Sequence, residues 1–283
     1  MELSQTEIDA LISLLEDQDP FVSNHVNDKL LSLGESVIPN LETAWETSFD
    51  GVQQQRIENL IHQIQFENLL EEIKLWAKNN SDDLLRGAIL IAKYQYPDLD
   101  PQALINKVEA IKRDVWLEMH YKLTPQEKVK ILNHVFYRVH QFRGNTKNYH
   151  DPQNSFINVV LESSKGNQIS LAIIYAVIAQ KLDLPIYGVN LPQHFILCYL
   201  EEEEKNPQPQ FYINAFNKGS VFNKRDIDYF LKQLKLEPKA NYYLPCNNLE
   251  IIRRVVRNLI SSYEKLGSMD KVADLEQIQA LLT

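Results

Sequence analysis

Cysteine is nearly absent from this chain: its 283 residues include only Cys198 and Cys246. Two are too few for a disulfide framework and carry no metal-ligand spacing, so both read as free thiols. Long apolar runs are missing too, and no stretch approaches the roughly 18 residues of a membrane-spanning helix. The chain therefore does not read as a membrane protein. Basic excess is also lacking: 29 Lys and Arg stand against 38 Asp and Glu, a net charge of −9. That balance argues against nucleic acid as a partner. Arg253, Arg254 and Arg257 do fall together on one helical stretch, and they read as a solvated helix face. At the start, MELSQTEIDALISLLEDQD carries acids where a signal peptide needs lysine or arginine, and no small-residue cleavage site follows. The expected location is cytoplasmic. No HExxH occurs, and His134 and His140 share no helix face, so neither a metal site nor a cofactor is expected.

What is present suits a globular protein: 44% hydrophobic and 24% charged residues, with length for one large domain or two to three smaller ones. From Ser4 to Leu104 the periodicity is helical. Ser4 with Glu7 forms a capping box, and Asp19-Pro20 and Asp100-Pro101 each pair an N-cap with proline at the first helical position. Val22, Val26, Leu30 and Leu33, then Val37, Ile38 and Leu41, suggest two short helices with Gly34 as a C-cap between them. This resembles a HEAT-type helical repeat. A weaker second pair is expected around Ile57 to Trp76.

Thr124-Pro125-Gln126-Glu127 opens another helix, PQEKVKILNHVFYRVHQF, and the polar loop RGNTKNYHDPQNS follows it. The apolar stretch QISLAIIYAVIAQKLDLP then predicts an apolar helix over 168–183. After Leu184 come IYGVNLP, HFILCYL and PQFYINAF, short β-branched or aromatic runs broken by Pro192 and by the acidic turn EEEEKNPQP, which read as antiparallel strands with a hairpin. The middle of the chain is thus α+β. From Asn247 the period is helical again, with two helices hinged at Gly267-Ser268 and a tetratricopeptide-like placement of Tyr263, Leu266, Gly267 and Ala273.

Cysteine acyl-transfer enzymes need a thiolate at a helix N-terminus, a histidine on an adjacent strand, and a polar residue that fixes the imidazole tautomer. Here a helix starts at Gln168, His194 opens a strand, and Asn214 ends the next one. With Leu132-Asn133, Gly144-Asn145, Tyr149, Asn154-Ser155, Gly166, Leu184-Pro185, Pro192 and His194-Phe195, the sequence resembles the transglutaminase-like superfamily, and within it the SirB-type bacterial branch. The likeness covers roughly residues 70 to 283. It implies a papain/transglutaminase-like core, a central helix packed on a small antiparallel sheet. HEAT-like helices flank this core on the N-terminal side and a tetratricopeptide-like helix pair on the other. The corresponding segments are 1–66, 67–245 and 246–283.

Carried over from the family, the catalytic cysteine falls on Gln168, the histidine on His194 and the aspartate on Asn214. A carboxamide is a feeble nucleophile, so covalent acyl transfer through position 168 is not expected. Ser170 lies two residues along the helix, about 200° away, and cannot replace it. Asn145, Tyr149, His150 and Asn154 are candidate cleft-lining residues. His194 itself reads as a structural histidine, a ligand contact or a catalytic base. The resulting expectation is a non-catalytic binding or scaffold module with a protein or peptide partner. Two alternatives stay open: a hydrolase or acyltransferase of the same fold with another nucleophile, and a docking factor that works through its helical ends.

Overall fold

Helix starts follow the capping chemistry written in the sequence. Ser4 and Glu7 cap Gln5–Ser13 reciprocally, Thr124 and Glu127 do the same for Pro125–His134, and Asp19 and Asp100 cap the proline-led helices Pro20–Leu31 and Pro101–Glu118. The computed structural model describes residues 4–17, 19–120, 122–201 and 208–282. It divides into two units, Met1–Glu72 and Ile73–Thr283.

The first unit is helical. Ile12, Leu15, Val26, Leu30, Val37, Leu41, Ile57, Leu60 and Ile64 form its buried cluster. Gly34 is not the C-cap: Pro20–Leu31 is capped by Ser32, and Gly34, at φ +64°, opens a 3-10 turn, Gly34–Val37. The pair expected around Ile57 to Trp76 is instead one helix, Gly51–Asn79. No glycine or proline interrupts that stretch after Gly51, so nothing in the chain breaks the hydrogen-bond ladder.

In the second unit the helix Gln168–Gln180 is central. Every residue from Ile169 to Ala179 is buried, as befits a helix that is apolar on all sides. It packs on a four-stranded antiparallel sheet whose strands, Ile186–Val189, Ile196–Leu200, Pro209–Asn214 and Ser220–Phe222, lie in sequence order. The middle two pair as the expected hairpin with Leu197 opposite Ile213, and most of the acidic turn, 202–207, lies outside the described residues. His194 is not on a strand: the second strand begins at Ile196. The helix opened by Pro125 changes at Val135 into a π-helical turn, Val135–Val139, around the buried Phe136, which stacks on Phe142 with centroids 4.3 Å apart. At the end of the chain, Asn248–Leu266 and Met269–Leu281 meet at Gly267, whose φ of +74° makes it the helix cap.

Candidate functional site

The N-terminus of the central helix is held by a buried polar cluster. Asn167, the N-cap, accepts from the N–H groups of Ile169 and Ser170 at 3.1 and 3.0 Å and donates to Ser155 Oγ at 2.9 Å. Ser170 Oγ accepts from Asn167 N–H at 3.0 Å and donates to the Asn154 carbonyl at 2.6 Å. The Ser170 hydroxyl is therefore spent on capping. Gly166 is required beneath it, because a Cβ there would come within 2.5 Å of Ser170 Oγ. Gln168, the first helical residue, is half-buried beside this cluster.

A tight turn delivers the histidine. In Leu191-Pro192-Gln193-His194 the His194 N–H returns to the Leu191 carbonyl at 3.1 Å, with proline at the second position and Gln193 at φ +59°. Gln168 then grips both ends of the turn's exit: its Oε1 accepts from Phe195 N–H at 3.1 Å, and its Nε2 lies 2.9 Å from His194 Nδ1. Because a backbone N–H can only donate, it fixes which end of the amide is oxygen. The amide nitrogen must then donate to Nδ1, so Nδ1 is unprotonated and the neutral ring carries its proton on Nε2. Phe230 packs edge-on against the ring, centroids 4.8 Å apart, and leaves His194 half-buried.

The structure joins Gln168 to His194 by a hydrogen bond and, among the described residues, gives Asn214 no hydrogen bond to either. Asn214 Oδ1 accepts from the N–H groups of Phe216 and Asn217, each at 3.1 Å, capping a 3-10 turn; among the described residues it has no hydrogen bond to His194. Asn154 is a buried brace: it accepts from Asn145 Nδ2 and donates to the carbonyls of Asn148 and Tyr149. Tyr149 is exposed and meets Phe216 edge-on, while the exposed His150 has its Nδ1 3.2 Å from Lys265 Nζ. Behind the helix, Tyr175 donates to Asn133, Asn133 to the Gly219 carbonyl, and Tyr137 to the Ala215 carbonyl, a network that fixes the loop after Asn214.

Two residues near the site were not legible as members of it. Arg254 donates through Nη1 to Leu191 O at 2.9 Å and to Asn190 Oδ1, and its guanidinium lies 5.9 Å from the Phe195 ring centroid. The solvated-face reading holds for Arg257 alone, since Arg253 and Arg254 are half-buried. Phe230 sits on the amphipathic helix Lys224–Gln233, beside the buried Ile227 and Leu231, and had no motif to mark it. Burial and then the Arg254 charge push the His194 pKa down. Burial also raises the two thiols, pushing both Cys198 and Cys246 up to about 12, which disfavours the reactive thiolate. Among the described residues no His, Cys, Asp and Glu gather into a metal-holding group, and no helix is long and apolar enough to cross a membrane.

Comparison with known proteins adds context. The sequence profile described as the transglutaminase-like superfamily matches residues 102–257. The chain is 28% identical over 202 residues to a UPF0162 protein of Xylella fastidiosa (strain 9a5c), covering 67% of this chain and 68% of that protein. It is 24% identical over 196 residues to the UPF0162 protein YchA of Escherichia coli (strain K12), covering 68% and 70%. A shorter likeness, 31% over 139 residues, relates 48% of this chain to 22% of F-box only protein 21 of Homo sapiens. No solved structure matches.

Proposed function

The chain belongs to the transglutaminase-like superfamily, and we propose that it is a non-catalytic member that serves as a binding module for a protein or peptide partner. The observation that carries this is the Gln168–His194 hydrogen bond at 2.9 Å. On this reading Gln168 stands where the catalytic cysteine of the superfamily would, at the start of the central helix and against the histidine. An amide there is neither a nucleophile nor a proton acceptor of useful strength. It occupies Nδ1, the nitrogen to which a thiol would give its proton, with an amide N–H that is not given up. Ser170 and the two native thiols offer no substitute, the first consumed in capping and the others held protonated by burial.

The flanking segments belong to the same proposal: HEAT-like helices over 1–66, the core over 67–245 and a tetratricopeptide-like pair over 246–283, in the manner of the SirB-type branch. The likeness to a 22% share of a larger protein supports a core that works as one module among others.

Substituting Gln168→Cys tests the reading. The helix start should stabilise a thiolate there by about 1 kcal/mol, and His194 should assist it further. Iodoacetamide should then label the variant much faster than the native protein. The labelling midpoint should fall below the ~8.5 of a free thiol. A native protein that hydrolyses or transfers acyl groups from amide or ester substrates, and loses this on His194→Ala, would overturn the non-catalytic reading.

A further inference from the structure

Arg254 is a half-buried cation with no acidic partner among the described residues. Its two acceptors, the Leu191 carbonyl and Asn190 Oδ1, are neutral, and both engage Nη1. The opposite edge, Nε with Nη2, makes no hydrogen bond to the described residues. The side chain as a whole is only half-buried, so Arg254 keeps some contact with solvent. That edge is the one whose two parallel N–H groups match a carboxylate bidentately. Partly buried charges are normally paired, since desolvation is costly and neutral acceptors return only part of it. An arginine whose sole task was to pin the 190–194 turn would gain from a neighbouring carboxylate, and none is supplied.

Nη1 ties the guanidinium to the site above. The Leu191 carbonyl that receives Arg254 Nη1 also receives the His194 N–H, so guanidinium and histidine turn share one acceptor atom. The His194 Nε2–H is a second donor with no partner among the described residues. Arg257, exposed one helical turn further on, adds like charge. Together these present donors and positive potential in a chain of net charge −9.

The geometry points to a carboxylate-binding subsite anchored by the Nε–Nη2 edge of Arg254 beside His194, which takes the acidic side chain or the C-terminal carboxylate of a bound peptide. One guanidinium edge suits a monoanion, whereas a phosphate dianion calls for a second committed cation. The inference rests on the binding-module reading, though it does not need the site to be inactive.

The test uses the full-length protein and four short peptides: one with a free C-terminus, its amidated form, an amidated peptide with an internal glutamate, and the same peptide with glutamine. Inorganic phosphate is a fifth probe. Binding is read from the NMR shifts of the Arg254 Nε–H and the His194 ring. At least one carboxylate peptide should move both signals saturably, with its neutral counterpart about tenfold weaker or more. The free-terminus and glutamate arms tell which carboxylate is used. Arg254→Lys, which keeps charge but loses the fork, should weaken binding about tenfold, and Arg254→Met should abolish it. Should Arg254→Met fail to fold, the Lys variant and the native titration still decide. Equal responses to carboxylate and neutral peptides, a response to phosphate alone, or no response from the native protein would each overturn the subsite. Acyl transfer by the native protein would remove the non-catalytic reading and leave this titration standing.

Discussion

At the scale of single residues, the histidine's protonation is set by what holds it. Gln168 donates to Nδ1, burial disfavours the charged ring, and Arg254 adds repulsion, so all three favour neutral imidazole. The folded-state pKa lies below the unfolded reference of 6.5, which means the unfolded chain binds a proton more readily. The stability this group contributes is therefore fully present above that reference, and it is lost as pH falls from there through the folded value. Urea midpoints measured between about pH 8 and 5 should decline less steeply for His194→Gln than for the native protein in the acid part of that range. Parallel profiles would show that the ring's charge state is not coupled to folding. Without structure, His194 and Gln168 were legible as a pair only through family resemblance, because 26 residues separate them. Nothing local in the sequence could say that the amide would face the ring through nitrogen, since the Phe195 N–H decides that.

At the scale of the element, the central helix depends on its first turn. Its apolar body would accept many neighbours, but its entry is fixed by Asn167, whose side chain makes three hydrogen bonds while buried. Asn167→Ala should cost about 2–4 kcal/mol, from a lost N-cap and from buried donors left unmet. The equivalent change at Asn223, an exposed N-cap on Lys224–Gln233, should cost only about 1 kcal/mol. Denaturant unfolding of the two variants measures the difference, and equal costs would show that burial of the Asn167 cluster adds nothing. The cap was there to be read as Asn-x-x-Ser; that it would be buried was not. The π-helical turn at Val135–Val139 and the short strand Ser220–Phe222, which pairs with the preceding strand Pro209–Asn214, left no local mark either.

At the scale of the whole molecule, the two units divide after Glu72, within the helix Gly51–Asn79. We expect residues 1–66 to be removable. A chain beginning at residue 67 keeps Trp76, whose Nε1 donates to the Asp83 carbonyl at 2.9 Å and whose ring fills the space that Gly87 leaves open. It should unfold cooperatively with its near-ultraviolet circular dichroism retained. Recovery only as insoluble or molten protein would refute a separable N-terminal segment.

The sequence by itself determined where helices begin, because caps and prolines act within a turn of their own position. It determined that the helix starting at Gln168 is apolar on every face along its body, and it placed three of the four strands in the sheet through short apolar runs. Only the tertiary structure decided that His194 sits on a turn in place of a strand, that Asn214 spends its oxygen on its own backbone, and that Arg254 comes to the histidine from 60 residues away. Capping and patterning are local energies, written in neighbouring letters. The orientation of an amide, or the partner an arginine lacks, is fixed by atoms that meet only when the chain closes on itself.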